Sequence, residues 1–171
     1  MENFFLLLAT GLAWRISAPK FKRYIIGKTG CTSLLLSTET TLHVQSTHDG
    51  ERVYFYEHAV KDVTYGLITV HMQQRHSQVQ AERVLTQYVN SIRKPFGIFY
   101  NTGTFTERGG DAVTLSDYWQ DEEEVDWKVK GYSNGKIIAV LYVKNINNAL
   151  SKEHDAYLNG FRFSSLSQTF K

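Results

Sequence analysis

The stretch WKVKGYSNGKIIAVLYV, residues 127–143, followed by SKEHDAYLNGFRF, residues 151–163, decides the fold class. Trp127 and Val129 alternate with Lys128 and Lys130, the two-residue period of a strand with one apolar face. Asn134-Gly135 suits the positive φ of a tight hairpin. The nearly unbroken apolar run Ile137 to Val143 suits a central strand covered on both faces. Ser151 is placed to cap a short helix through Leu158, Gly160 to end it, and Phe161-Arg162-Phe163 returns extended. Strand, turn, strand and helix in that order predict one layered α+β domain.

Working outward, Ser77 to Lys94 predicts an amphipathic helix, with Val79, Ala81, Val84, Leu85, Tyr88, Val89 and Ile92 at helical spacing on one face. Ser77 caps its first turn, Arg93 and Lys94 suit its negative end, and Pro95 stops it. Ahead of it, Arg52 to His58 and Thr64 to Met72 read as paired strands, with Thr41 to Gln45 a third across the His48-Asp49-Gly50 turn. Cys31 to Ser37 reads as a further short strand. Beyond the helix come a strand over Phe96 to Tyr100, a Gly-rich loop over Asn101 to Asp111, a strand over Ala112 to Trp119 and an acidic loop over Asp121 to Asp126. No repeat or linker interrupts the chain. Residues 30–171 are expected to form a single domain, with residues 1–29 an apolar and basic arm.

With 42% hydrophobic and 13% aromatic residues among 171, the chain can bury a substantial core, which excludes a disordered or fibrous class. A net charge of +2 supplies no general field for nucleic acid. The charges are nonetheless uneven: Arg15, Lys20, Lys22, Arg23 and Lys28 crowd the start, and no base interrupts Asp111, Asp117, Asp121, Glu122, Glu123, Glu124 and Asp126. Cys31 is alone, so an intramolecular disulfide and any paired-thiolate metal site are excluded. It precedes Leu34, Leu35 and Leu36 and is expected to be a buried, inert thiol. The run Phe4 to Trp14 has the length of a signal-peptide core, and Ile16-Ser17-Ala18 loosely resembles a cleavage site. Against a signal stand Glu2, the lack of Lys or Arg ahead of the run, and Trp14-Arg15 before the site, which favour a packed helix or an arm. The run is too short to span a bilayer.

The hairpin Trp127 to Val143 turning at Asn134-Gly135, the capped helix from Ser151 and the closing Phe161-Arg162-Phe163 resemble the family of the photosystem II oxygen-evolving subunit PsbP and the Ran-binding protein Mog1. The strand pair Arg52 to His58 and Thr64 to Met72, followed by the Ser77 helix, is compatible with that order. The resemblance implies an α/β/α sandwich on a central, mainly antiparallel sheet. It also implies a fold commonly used for docking rather than for catalysis. No Ran-binding or photosystem-docking residue set is matched, so no functional residue carries over.

Chemistry-bearing constellations are sparse. His43, His58 and His71 can face one another only if strand register allows, and no helical His-Xaa3-His pair supports a metal. Gly27-Lys28-Thr29-Gly30 contains Gly-Lys-Thr, but the first glycine of a phosphate loop would fall at Lys22. No nucleophile elbow exists. Asp121 to Glu124 runs without the spaced pattern of a calcium loop. Tyr54, Tyr56, Trp119, Trp127, Tyr132 and Tyr142 divide between core and an aromatic surface to which Lys128 and Lys130 would add charge.

The expected function is therefore a non-catalytic protein-interaction domain without cofactor or metal. Trp119, Asp121, Glu122, Glu123, Glu124, Asp126 and Trp127 form the expected surface for a basic protein partner, not for nucleic acid. The alternative is a small-molecule-binding protein or enzyme with a pocket between sheet and helix.

Overall fold

The computed structural model describes residues 20–36, 42–47, 50–146 and 151–164. The run Phe4 to Trp14, the Ile16-Ser17-Ala18 tripeptide, most of the arm, His48 and Asp49 of the expected turn, and the side chain of Ser151 lie outside the described residues. The elements are β1 (Phe21–Ile25), β2 (Thr32–Leu36), β3 (His43–Ser46), β4 (Arg52–Val60), β5 (Val63–His71), α1 (Gln78–Arg93), β6 (Ile98–Asn101), β7 (Phe105–Gly109), β8 (Ala112–Asp121), β9 (Asp126–Ser133), β10 (Ile137–Lys144) and α2 (Ser151–Leu158).

Eight strands form one sheet in the order β3-β4-β5-β10-β9-β8-β6, with β7 also on β8, and all its pairings are antiparallel. β10 lies at its middle because seven of its eight residues are buried, so only a central place satisfies both of its faces. Alternation along β10 then divides the apolar residues into two cores. Ala139, Leu141 and Val143 join Tyr56, Tyr65, Leu67, Tyr157 and Phe161 on the face covered by α2 and the β1–β2 hairpin. Ile138, Val140 and Tyr142 join Leu85, Val89, Leu115, Trp119 and Trp127 on the face covered by α1. The domain is thus α+β, a mainly antiparallel sheet with helices laid on it.

α1 begins as expected. Ser77 accepts from the Gln80 N–H at 3.4 Å while the Gln80 side chain accepts from the Ser77 N–H at 3.0 Å, a reciprocal cap. Ala81, Leu85 and Val89 are buried, whereas Val79, expected on the same face, is 64% exposed in the first turn. The strand over Cys31 to Ser37 corresponds to β2, which pairs with β1 in a separate two-stranded sheet. Residues 21–26, read from their basic composition as arm, supply β1 and the wholly buried Ile26. Gly27-Lys28-Thr29-Gly30 closes that hairpin, with the Ile26 N–H donating to the Cys31 carbonyl at 2.8 Å. Arg162 exchanges two backbone hydrogen bonds with Thr32, which seats the closing extended piece on β2.

Two loops differ from expectation. The segment read as a Gly-rich loop contains β7, which pairs with β8 from Phe105 opposite Ser116 to Gly109 opposite Ala112. Its residues are mostly exposed, so it carries no burial pattern; β8 and Glu82 of α1, which accepts from Thr106 at 2.8 Å and Arg108 Nε at 2.7 Å, hold it. The β9–β10 hairpin turns at Asn134-Gly135 but through three residues. Asn134 keeps a negative φ and its side chain accepts from the N–H groups of Lys136 and Ile137, while Gly135 alone is left-handed at φ +81.

Candidate functional site

β8 sends Val113, Leu115, Asp117, Trp119 and Asp121 toward α1, one parity of the strand. The same parity that buries Leu115 therefore buries Trp119 and Asp121. Trp119 is 0% exposed, Trp127 4% and Asp121 4%. Trp119 and Trp127 lie 6.2 Å apart between ring centres, and Phe96 stacks on Trp127 at 5.5 Å. The two indoles thus belong to the core beneath the acidic turn and offer no surface to a partner.

Asp121 organises the turn. Its Oδ1 accepts from the N–H groups of Glu123 and Val125 at 3.1 and 3.0 Å, and its Oδ2 accepts from Trp127 Nε1 at 3.0 Å and Lys144 Nζ at 3.0 Å. Lys144 also lies over the Trp127 ring at 5.0 Å. Glu124 takes a left-handed conformation, φ +60, and its N–H donates to the Asp121 carbonyl. Burial alone would raise the Asp121 pKa, but Lys144, the Val125 N–H and the Trp127 indole together bring it below the usual carboxylate range. Stability from this carboxylate is therefore present above the ordinary aspartate range and is lost as the pH falls through its lowered folded value. Melting temperatures of wild type and Asp121→Asn, measured against pH, should differ at neutrality and converge in acid; a constant gap would contradict the pairing.

Glu122, Glu123 and Glu124 remain exposed. The Glu122 N–H donates to the Gly97 carbonyl at 3.1 Å, which ties the turn to the start of β6. β6 pairs Ile98 with Asp121 and Tyr100 with Gln120, with a register irregularity between Ile98 and Tyr100. Phe99 and Tyr100, on this edge strand, are 60% and 52% exposed. Asp126, half-buried, accepts from Gln120 at 3.2 Å. Burial first, and then the Asp126 carboxylate that its phenol meets, push the Tyr118 hydroxyl up to about 12. Of the seven residues expected at the surface, the structure places Glu122, Glu123 and Glu124 outside and Trp119, Asp121 and Trp127 inside, with Asp126 between. It adds Phe99 and Tyr100, whose exposure follows from the edge position of β6.

On the other face, the sheet beyond α2 is open. A groove of about 410 Å3 runs between β8, β9 and α2, with Phe105, Ser116, Tyr118, Lys128, Lys130 and Asp155 among its lining. Lys128 and Asp155 pair at 3.4 Å with side chains 36% and 59% exposed, so solvent screening leaves the pair contributing little. Asp117 lies beneath the groove but directs its carboxylate to the α1 side, toward Arg93 and Trp119 Nε1.

Among the described residues, His43, His58 and His71 do not converge. His43 stands opposite Phe55, His58 opposite Tyr65 and His71 opposite Arg52. Burial and the neighbouring Lys136 and Arg52 lower the His71 pKa. Among the described residues, no group of three His, Cys, Asp or Glu side chains is placed to hold a metal ion. No described helix is long and apolar enough to cross a membrane. No family model matches the chain, and no curated protein matches it in sequence.

Proposed function

We propose that this chain is a non-catalytic protein-interaction domain that receives a basic segment of a partner protein at the Glu122–Glu124 turn and the adjoining rings of Phe99 and Tyr100. The observation that carries the reading is the division of labour at Asp121. One carboxylate is buried and spent on fixing the turn, and three others are held out together on a turn tied through Gly97 to β6, the strand that exposes Phe99 and Tyr100. Exposed ion pairs contribute only about 0.2–1 kcal/mol each, and a cation over an exposed ring about 0.5–1 kcal/mol. Neither set suffices alone, so the glutamates and the rings act together on lysine or arginine side chains. The PsbP/Mog1-like reading of the fold belongs to the same proposal; an antiparallel sheet carrying helices supports it, and the docking role common in that family agrees with it.

The test is a comparison of retained partners. Wild type should hold a partner from its own cell extract in a salt-sensitive manner. Glu122→Lys, Glu123→Lys and Glu124→Lys together should release it with the melting temperature unchanged, and Phe99→Ser with Tyr100→Ser should weaken it. Retention by both variants would reject the site. A second reading, binding of a small molecule, is favoured by the groove between sheet and α2, whose size suits a small organic ligand. Loss of ligand on Lys130→Ala with the acidic turn intact would decide for it.

A further inference from the structure

We infer that the chain pairs with a second copy of itself through the free edge of β3. Among the described residues, no strand covers the outer side of β3, whose four residues His43, Val44, Gln45 and Ser46 are all exposed. Free edges are normally guarded by Lys, Asp, Glu, Pro or a bulge, because their unpaired N–H and C=O groups template another strand. β3 has none of these, and its register against β4 runs without interruption. The opposite edge is guarded. It is irregular within β6, broken between β6 and β7, and flanked by Glu107, Arg108 and the exposed glutamates of the acidic turn.

The two faces of β3 agree with that contrast. Val44 stands opposite Tyr54 on the α2 side of the sheet and is 57% exposed. His43 and Gln45 stand opposite Phe55 and Val53 on the α1 side, at the rim of an apolar groove of about 420 Å3 lined by Val53, Phe55, Ile68, Tyr88, Ile92 and Phe96. An added strand would cover the valine and wall the groove at once.

A second copy fits this edge better than an unlike strand. Two-fold pairing sets each residue against one from the same short segment, which a charged edge resists and the uncharged run Val44-Gln45-Ser46 allows. Opposed residues of antiparallel strands share a face, so an axis through Val44 sets Val44 against Val44 of the second copy. His43 then meets Gln45 of the second copy. Imidazole and carboxamide each donate and accept, so that pair is satisfied in both directions. The axis is perpendicular to the sheet, which leaves both α1 faces on one side and opens the two grooves toward each other. That register pairs three residues of each β3, His43, Val44 and Gln45, which is few for an interface, so association is concentration-dependent.

Sedimentation of the full chain over a concentration series tests this. The weight-average mass should climb from one chain to two and level off there, and Val44→Lys should hold it at one chain with the melting temperature unchanged. A wild type that stays at one chain throughout, or a dimer that survives Val44→Lys, overturns the inference. Should Val44→Lys fail to fold, Val44→Cys decides. Like residues facing across the axis would form a covalent dimer on oxidation, whereas wild type, with Cys31 only 1% exposed, would not. Absence of that cross-link overturns the inference equally.

Discussion

Asp117→Ala is expected to cost the domain about 3–5 kcal/mol, the range for removing one partner of a buried ion pair. The Asp117 side chain is fully buried and meets four donors: Arg93 from the end of α1, Trp119 Nε1 at 2.7 Å, the Tyr118 N–H at 2.9 Å and Thr102 Oγ1 at 3.3 Å. Arg93 also lies over the Trp119 ring at 5.8 Å, so one carboxylate joins the helix end, the second core and the β6–β7 connection. Its loss strands a guanidinium that is only 18% exposed and an indole N–H with no route to water. Total stability of a domain this size is about 5–15 kcal/mol, so a loss of that size is a large fraction of the whole. Urea unfolding should show a lower midpoint with unchanged slope, and Asp117→Asn, which keeps the shape and one acceptor, should lose less. A loss under about 1 kcal/mol for alanine would mean that Arg93 finds another partner.

Gly66→Val is the second large effect. A Cβ built on Gly66 falls 1.9 Å from Cζ of Tyr142, so the tyrosine ring occupies the place of a side chain. Tyr142 is 0% exposed, packs at 5.3 Å on both Phe96 and Trp127, and donates its hydroxyl to Glu57. Displacing it is equivalent to deleting a core aromatic, about 3–5 kcal/mol. Even Gly66→Ala should be costly in the wild type. In a Tyr142→Ala background the same alanine has room, and its cost should nearly vanish. Equal costs in the two backgrounds would place the conflict elsewhere.

Much of the fold was legible because burial was strong and local. β10 announces itself by an apolar run that only a central strand can satisfy, and α1 by its stripe and the Ser77 cap. β1 and β7 were illegible because neither buries a periodic set of its own: β1 depends on β2, and β7 on β8 and on Glu82 of α1. At the site, the exposed glutamates were legible from charge alone. The tryptophans beside them read as surface because they flank an acidic run, although the parity of Leu115, Trp119 and Asp121 on one strand was available as a sign that they point inward. The pairing of Asp121 with Lys144 had no local signal, since β9 and β10 must be in place before the two meet. The exposure of Phe99 and Tyr100 likewise depends on the place of β6 at the sheet edge.

The most direct measurement is an NMR titration of the full chain with a lysine- and arginine-rich peptide. Amide shifts should move at Gly97 to Tyr100 and at Glu122 to Asp126, while the buried indole N–H signals of Trp119 and Trp127 stay in place. Shifts gathered instead at Ser116, Tyr118, Lys128 and Lys130 in the groove beside α2, or no shifts at all, would contradict docking at the acidic turn.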